Sequence, residues 1–212
     1  PAERPDYGWL SEESDDNGSR LERQSTFIID PIDGTRSFAE GSRTWAHSLA
    51  VATGGEITAA VIYLPQRDLL YSAALGQGAF CNGAPLSVAP PGELAEATVL
   101  TAKPNLQPQH WKAGTPPSFH RSMRPSLAYR LARVAQGRYG GMLTLRRSWE
   151  WDIAAGDLIL REAGGRSSNR FGQPLRFNTP VPLLDGVLAG APELHRDLLE
   201  ALDPQGPGIS NQ

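Results

Sequence analysis

Asp30 and Asp33 stand three residues apart in the run DPIDGT, residues 30–35, directly after a short apolar stretch. This position predicts two carboxylates that emerge where a buried strand ends. Side chains three apart in a regular strand face opposite sides, but Pro31 and Gly34 permit a tight turn that directs both carboxylates toward one point. Close anions repel each other, and a shared cation relieves that repulsion. Oxygen ligands favour Mg²⁺, Mn²⁺ or Ca²⁺ over zinc, so the run predicts a metal site, with a plain β-turn as the alternative.

The same run carries a second chemical feature, a predicted short helical turn that begins at Gly34 and Thr35 and extends to Ala39. The first amides of a helix have no acceptor within the helix. Such amides, together with the helix dipole, suit a phosphate group. The run therefore combines a candidate cation site with a candidate phosphate site.

Two further acidic positions could complete such a site. Glu12 lies in the acidic run WLSEES, residues 9–14, which on its own is typical of a solvated loop. Asp152 lies ahead of the small residues at 154–156, which allow another segment to pack closely. Aspartate at a helix start is also a routine N-cap, which stabilises a helix by about 1 kcal/mol. Each position alone therefore favours a structural interpretation, and only their combination suggests chemistry.

The elements that would position these residues are short and separated by many of the 22 glycines and 18 prolines. Residues 1–22 favour an exposed loop or hairpin, and Pro31 is expected to end the first buried strand. Turn signals at hairpin spacing predict an antiparallel sheet in a first domain, 1–93. Strand and helix alternate in 94–212, which predicts an α/β domain. The pattern predicts strands at 26–30, 45–53, 56–64, 68–75, 97–102 and 186–191, and helices at 126–136, 152–163 and 192–202.

The composition restricts the class of protein. The 212 residues are 40% hydrophobic and 20% charged, which is typical of a globular protein with a sizeable core. The formal net charge of -3 indicates no polymeric nucleic-acid partner, and no apolar stretch approaches the length of a membrane span. Cys81 is the only cysteine, which excludes an intramolecular disulfide and suits a cytoplasmic location. A small anionic substrate stays compatible with the charge, because bound cations reverse the local field.

Taken together, the acidic runs resemble the inositol monophosphatase family. The resemblance rests on WLSEES at 9–14, DPIDGT at 30–35 and WDIAAG at 151–156, followed by EAGG at 162–165, in the family's order and over most of the chain. It implies a layered α/β/α/β/α sandwich of the sugar-phosphatase type, which combines α+β and α/β features. The N-terminal helices that usually precede the Glu-Glu run are expected to be missing here. The resemblance also implies a Mg²⁺-dependent, Li⁺-sensitive phosphomonoesterase and, by analogy, a homodimer.

The same resemblance implies the ligands of two or three Mg²⁺ ions, for which Mn²⁺ could substitute. These ligands are the side chains of Glu12, Asp30, Asp33 and Asp152 and the main-chain carbonyl of Ile32. Glu12, Thr35 and Asp33 would form the catalytic set, in which Thr35 helps Glu12 to activate water. The amides of Gly34 and Thr35 would contact the phosphate. Divalent ions held in this way can make hydroxide available near neutral pH.

The sequence defines the substrate less well than the chemistry. Inositol phosphate is the leading candidate, and a 3′(2′),5′-bisphosphate nucleotide or histidinol phosphate is the alternative. Inositol-specific relatives place an acidic residue where this chain has Leu145, and nucleotidase relatives often have lysine where it has Ala128. Arg130, Arg146 and Arg147 could contact an extra phosphate or could form a solvated basic face.

Two interpretations from other classes stay open. The scaffold could belong to a non-catalytic protein that binds a metal or another ligand. A decayed enzyme need not keep its metal and catalytic positions, whereas this chain keeps all five: Glu12, Asp30, Asp33, Thr35 and Asp152. A structural Ca²⁺ protein is the other interpretation, but the acidic loop lacks the regular ligand spacing of an EF-hand.

Overall fold

A computed structural model describes residues 3–90 and 92–206, and its first half forms one seven-stranded sheet. The strands follow one another across the sheet in chain order. The first two are parallel, and all later neighbours pair antiparallel, as the predicted hairpins require. The strands are β1 (Gly8–Ser11), β2 (Ser25–Asp33), β3 (Ala46–Thr53), β4 (Glu56–Leu64), β5 (Leu69–Ala74), β6 (Ala79–Cys81) and β7 (Ala84–Pro85).

Two expectations about this sheet were wrong. The residues of β1, expected in a loop or hairpin, pair in parallel with β2. Strand β2 does not end at Pro31 but continues to Asp33, because its pairing with β3 contains a bulge. Asp30 lies opposite Ser48 and Asp33 lies opposite Ala46, so β2 has one extra residue between the two pairs. A bulge accepts proline because no ladder N–H is required there.

The second half contains a five-stranded mixed sheet and a small two-stranded sheet. The larger sheet consists of β8 (Thr98–Thr101), β9 (His120–Ser122), β10 (Gly141–Thr144), β12 (Arg166–Ser168) and β14 (Val187–Gly190). The small sheet pairs β11 (Ser148–Trp149) with β13 (Leu183–Leu184). The order across the larger sheet is β12-β14-β10-β8-β9. In it, β8 is parallel to both neighbours and β14 is antiparallel to both.

The described residues form four α-helices, of which the third begins earlier than the sequence indicated. Asp152 lies in the first turn of this helix, and the N-cap position that it was expected to occupy belongs to Trp149. No helix in the described ranges combines the length and the apolar character that crossing a bilayer requires. The helices are α1 (Thr35–Ala39), α2 (Leu127–Ala135), α3 (Glu150–Glu162) and α4 (Pro192–Ala201).

The helices and sheets stack as an α/β sandwich, which confirms the predicted fold class. Helices α2 and α3 lie between the two larger sheets, and α4 covers the other face of the five-stranded sheet. Alternation along β14 shows this arrangement, since Val187 and Ala189 belong to the core around α2 and α3, whereas Leu188 packs with α4. The described residues therefore supply four layers in the order sheet, helix pair, sheet and helix.

Helices α2 and α3 approach each other most closely at Gly156. A Cβ atom at this position would lie 2.5 Å from the Cβ of Leu131. The small residues of the WDIAAG run thus permit close packing of two helices in the central layer. One core cluster includes residues of both halves, such as Ile28 and Leu158, and the division into 1–93 and 94–212 stays a prediction.

Candidate active site

Three carboxylates from distant parts of the chain meet at one end of the first sheet. Asp30, Asp33 and Asp152 each offer an oxygen atom that lies within 4.8 Å of the oxygen atoms of the other two. Asp30 and Asp33 come from the end of β2, and Asp152 comes from the first turn of α3. Only 1% of Asp30 and 6% of Asp33 is exposed, so two of the three charges lie out of contact with bulk water.

The bulge in β2 explains why both of its aspartates face the same cavity. Their partners on β3, Ser48 and Ala46, are two residues apart and therefore lie on one face of the sheet. The extra residue in β2 compensates for the odd spacing of Asp30 and Asp33. The turn that the sequence suggested at this point is thus a distorted strand.

Hydrogen bonds inside the bulge hold this part of the chain in place. The main-chain N–H of Ile32 donates to Oδ1 of Asp30 at 2.9 Å. The ring of His47 donates from Nδ1 to the carbonyl oxygen of Pro31 at 2.6 Å, since a carbonyl oxygen can only accept. His47 is therefore a supporting residue that none of the sequence motifs revealed.

Asp33 receives three hydrogen bonds from the beginning of α2. Oγ of Ser126 donates to Oδ2 at 2.6 Å, and the N–H of Ala128 donates to the same oxygen at 2.7 Å. The N–H of Leu127 donates to Oδ1 at 3.3 Å. Ser126 makes its bond at a φ of 65°, a backbone conformation that residues with a side chain adopt rarely. The sequence predicted a helix start at Ser126 but did not reveal its bond to Asp33, because a link across 93 residues leaves no local signal.

Burial raises the pKa values of all three acids, and repulsion from neighbouring carboxylates adds to the shift of Asp30 and Asp152. Burial, followed by the charge of Asp33, raises the pKa of Asp30 to about 9. The same two causes raise the pKa of Asp152 to about 8. Burial also raises the pKa of Asp33, although the hydrogen bonds from α2 oppose this shift. Without a cation the cluster would therefore retain protons near neutral pH, and a set of buried carboxylate oxygens of this kind fits Mg²⁺.

The three acids line a cavity of about 340 Å³. The N–H of Glu12 donates to the carbonyl of Ile29 at 3.2 Å, which places the exposed Glu12 side chain just after β1. The hydroxyl of Thr35 donates to the carbonyl oxygen of Ile32 at 3.1 Å. The cavity lining includes all seven residues singled out in the sequence: Glu12, Asp30, Ile32, Asp33, Gly34, Thr35 and Asp152.

Two of the three arginines named from the sequence also line this cavity. Arg130 is almost fully buried, and burial lowers its pKa to about 10. Arg146 is exposed at the rim. Arg147 instead forms an ion pair with Asp185 at 3.2 Å and does not contribute to the lining. The cavity therefore combines a carboxylate cluster with two guanidinium groups.

Trp149 gives the cavity an aromatic wall. Its ring stacks on that of Trp151 with 4.7 Å between the centroids and 10° between the planes, and 38% of Trp149 is exposed. The sequence showed both tryptophans as part of a motif but gave no sign that one of them lines the site. A side chain of this shape can contact a planar or apolar part of a bound molecule.

The fold and the site together define a class of protein, an α/β sandwich with an acidic cavity suited to divalent metal and phosphate chemistry. The Inositol monophosphatase family matches the chain over residues 1–205, and the chain belongs to this family. The family's class of activity is the hydrolysis of phosphoric monoesters.

Individual relatives match over most of the chain. An inositol-1-monophosphatase of Rhizobium meliloti (strain 1021) is 37% identical over 194 residues, which cover 84% of this chain and 70% of that protein. The Nus factor SuhB of Pasteurella multocida (strain Pm70) is 32% identical over 214 residues, which cover 94% of this chain and 75% of that protein.

Solved structures of inositol monophosphatases are similar to this chain as well. Inositol monophosphatase II of Staphylococcus aureus MSSA476 superposes with a TM-score of 0.84 at 26% identity, over 97% of this chain and 77% of that chain. Structures of SaIMPase-II with bound inositol monophosphate and with bound 2'AMP give TM-scores of 0.79 and 0.80 at the same identity. They cover 94% and 92% of this chain and 78% and 75% of theirs.

Proposed function

We propose that this chain hydrolyses a small phosphorylated metabolite, with inositol monophosphate as the leading candidate, at the cavity lined by Asp30, Asp33 and Asp152. The observation that carries the proposal is the meeting of three carboxylates, two of them buried, within 4.8 Å beside the start of α1. The staphylococcal relative with bound inositol monophosphate supports this choice of substrate.

The proposed cofactor is Mg²⁺, as two or three ions for which Mn²⁺ could substitute. Divalent ions at such a site make hydroxide available and offset the charge of the phosphate oxygens. Four negative side chains would balance two divalent cations, so the loaded site would have little net charge. The proposed ligands are the carboxylates of Glu12, Asp30, Asp33 and Asp152 and the carbonyl of Ile32.

In the proposed reaction, different groups around the cavity accept a proton, orient the attacking water and hold the phosphate. Glu12 takes the proton of the attacking water, because its exposed carboxylate adjoins the buried cluster. Thr35 orients this water together with Glu12, and Asp33 completes the catalytic set. The amides of Gly34 and Thr35 hold the phosphate in line with the attacking water.

A bisphosphate nucleotide is the second candidate substrate. Arg130 and Arg146 line the cavity and could pair with a second phosphate through bidentate hydrogen bonds. Trp149 offers an aromatic surface for a base. The staphylococcal relative with bound 2'AMP supports a nucleotide as well. Histidinol phosphate has no comparable feature in its favour.

The proposal also includes inhibition by Li⁺, the oligomeric state and the location of the protein. We expect Li⁺ to inhibit the enzyme, as the family resemblance implies. A homodimer and a cytoplasmic location complete the proposal, and the buried free thiol of Cys81 suits a reducing compartment.

A panel assay with one matched pair of variants tests the function. The protein is incubated with inositol monophosphate, a 3′,5′-bisphosphate nucleotide and histidinol phosphate, with and without Mg²⁺, and phosphate release is measured. Glu12→Gln should lower kcat about 100-fold or more because it removes the proton acceptor. Glu13→Gln makes the same charge change on an adjacent exposed side chain outside the cavity and should leave kcat unchanged.

The outcomes separate the classes of function. Mg²⁺-dependent release of phosphate that only Glu12→Gln abolishes supports the proposal. Mg²⁺ binding without turnover of any phosphate would favour the non-catalytic alternative. Equal activity of the two variants would remove Glu12 from the mechanism.

A further inference from the structure

Three arginines line a second cavity that shares no residue with the acidic one. This cavity has a volume of about 410 Å³ and is lined by Arg43, Arg67, Leu69, Tyr129 and Arg133. We propose that it binds a tetrahedral oxyanion, namely phosphate or the phosphate group of a metabolite. This cavity, the basic pocket, would bind the anion whether or not the chain is a hydrolase.

The basic pocket is organised around the ring of Tyr129. The guanidinium carbon of Arg67 lies 5.7 Å from the ring centroid, and that of Arg133 lies 5.8 Å from it. Both distances are within the range of cation–π attraction. Arg133 follows Tyr129 by one helical turn on α2, whereas Arg67 reaches the ring from the turn between β4 and β5. One aromatic ring thus gathers two positive charges from distant parts of the chain.

Hydrogen bonds to neutral acceptors hold these arginines in position. Arg43 donates from Nε and Nη2 to the carbonyl oxygen of Gln66, at 3.2 and 2.7 Å. Arg67 donates in return to the carbonyl oxygen of Arg43 at 3.1 Å and to Oγ1 of Thr44 at 2.6 Å. These bonds occupy only part of the five N–H donors that each guanidinium carries. The remaining donors of the two side chains are available to a ligand.

The positive charge of the basic pocket is not neutralised within the described part of the chain. Among residues 3–90 and 92–206, no carboxylate oxygen lies within 4.0 Å of Arg43, Arg67 or Arg133. Like charges brought together repel each other, and a shared anion relieves this repulsion. The guanidinium fork matches the spacing of two phosphate or carboxylate oxygens. Arg133 uses Nη1 to donate to Oε1 of Gln136 at 2.6 Å, and the N–H donors left on the three guanidinium groups around one cavity suit an anion with several oxygens, such as phosphate.

The test uses protein freed of metal with EDTA. In this state the acidic cavity lacks the divalent cations that would hold a phosphate there, and the arginine variants show whether the phosphate that still binds is in the basic pocket. Isothermal titration with inorganic phosphate should show one saturable site per chain. Arg67→Gln/Arg133→Gln should weaken this binding at least about tenfold, or about 1.4 kcal/mol. Arg138→Gln is the matched control, because it removes an exposed charge nearby that does not line the basic pocket.

A second titrant identifies the source of the anion. Glycerol 2-phosphate that binds more tightly than phosphate indicates a phosphorylated metabolite, and weaker binding indicates the free ion. Arg133→Gln alone keeps the hydrogen bonds of Arg67 to Arg43 and Thr44. This single variant therefore replaces the double variant in the phosphate titration if the double variant does not fold. Absence of saturable binding, or an equal effect of Arg138→Gln, overturns the proposal.

The acidic cavity provides the last control. Glu12→Gln should leave phosphate binding to metal-free protein unchanged, whatever it does to hydrolysis. If Glu12→Gln alters phosphate binding and the arginine variants do not, the anion binds at the acidic cavity and the proposal fails. Failure of the hydrolase proposal would leave these titrations unaffected.

Discussion

Ser126 connects the acidic cavity to helix α2 through a single hydroxyl group. Its Oγ donates to Asp33, which supports a proposed metal ligand. The same Oγ accepts from the N–H of Tyr129, which caps the helix. In this position Ser126 has an unusual φ of 65°. Such backbone strain typically costs about 1–3 kcal/mol.

We expect Ser126→Gly and Ser126→Ala to separate these effects. Both variants lose the hydrogen bond to Asp33, so both should bind Mn²⁺ about tenfold more weakly, as is typical when support for a metal ligand is removed. Glycine adopts a positive φ without strain, so Ser126→Gly should be about 1 kcal/mol more stable than Ser126→Ala. Electron paramagnetic resonance of Mn²⁺ and urea unfolding measure the two quantities. Unchanged Mn²⁺ affinity in both variants would contradict the supporting role of Ser126.

Single residues could be predicted from the sequence where the signal was local. Asp30 and Asp33 stand in one short run, and their shared face follows from a one-residue bulge within it. Ser126 and Trp149 reach the cavity only through tertiary packing, and Arg130 could not be distinguished from Arg147 by sequence position. Residues that support the site from a distance therefore escaped prediction.

At the scale of elements, the distance between α2 and α3 determines where Asp33 and Asp152 meet. Asp152 lies in the first turn of α3, and the start of α2 holds Asp33 by three hydrogen bonds. The two helices pack through Gly156 against Leu131. A change in their separation would therefore alter the cavity as well as the core.

We expect Gly156→Ala to destabilise the protein although alanine favours helices. The added Cβ would lie 2.5 Å from two atoms of Leu131, and overpacking of this kind costs about 1–3 kcal/mol. The gain in helix propensity is only about 1 kcal/mol. Urea unfolding measures the difference. Leu131→Ala should destabilise the Gly156→Ala variant less than it destabilises the wild type, because it removes the side chain that the added Cβ would meet. If the two changes in free energy were strictly additive, this would contradict the predicted clash.

Arg20 joins the segment after Glu12 to the start of α3. It is 1% exposed and donates to Asp16, to Oδ1 of Asn178 and to the carbonyl oxygen of Thr179. The N–H groups of Asn178 and Thr179 in turn donate to the buried Glu150. One network of polar groups therefore fixes the relative position of two of the acidic runs.

We expect Arg20→Ala to lower the free energy of unfolding by about 1–3 kcal/mol, because it leaves three partly buried acceptors without their donor. Arg23→Ala removes an exposed arginine nearby and should change this free energy by less than about 0.5 kcal/mol. Guanidinium chloride unfolding compares the variants. Similar values for both would show that the network contributes no net stability.

The strongly periodic elements were predicted from the sequence, whereas β1 was not. Residues 56–64 were expected as a strand and form β4 with the same bounds. Strand β1 has only four residues, and its parallel partner β2 lies beyond an acidic loop. Neither its length nor its surroundings gives the alternation or the turn signal from which a strand can be recognised.

The free energy of unfolding of the whole protein should depend on pH because of its carboxylate cluster. In the metal-free protein the pKa of Asp30 is raised to about 9 and that of Asp152 to about 8, from an ordinary value of 3.8. The folded chain therefore binds more protons than the unfolded chain above about pH 4. The free energy of unfolding should fall as the pH rises, until both groups have ionised in the folded state.

Urea unfolding at about pH 6 and about pH 9 tests this dependence. Metal-free protein should be less stable at the higher pH, and Mg²⁺ should remove most of the difference by binding the ionised carboxylates. Asp152→Asn should reduce the difference as well, because it removes one of the two groups. A metal-free protein that gains stability with rising pH would contradict the raised pKa values.

The hydrogen bonds that Asp33 accepts from α2 also guide the choice of an inactive protein for trapping a substrate complex. An asparagine at this position would present an NH₂ group to donors that now meet a carboxylate, so Asp33→Asn should disturb the helix start along with the chemistry. Glu12 is exposed and anchored through its main chain. Glu12→Gln is therefore the better variant for soaking intact phosphate esters into crystals.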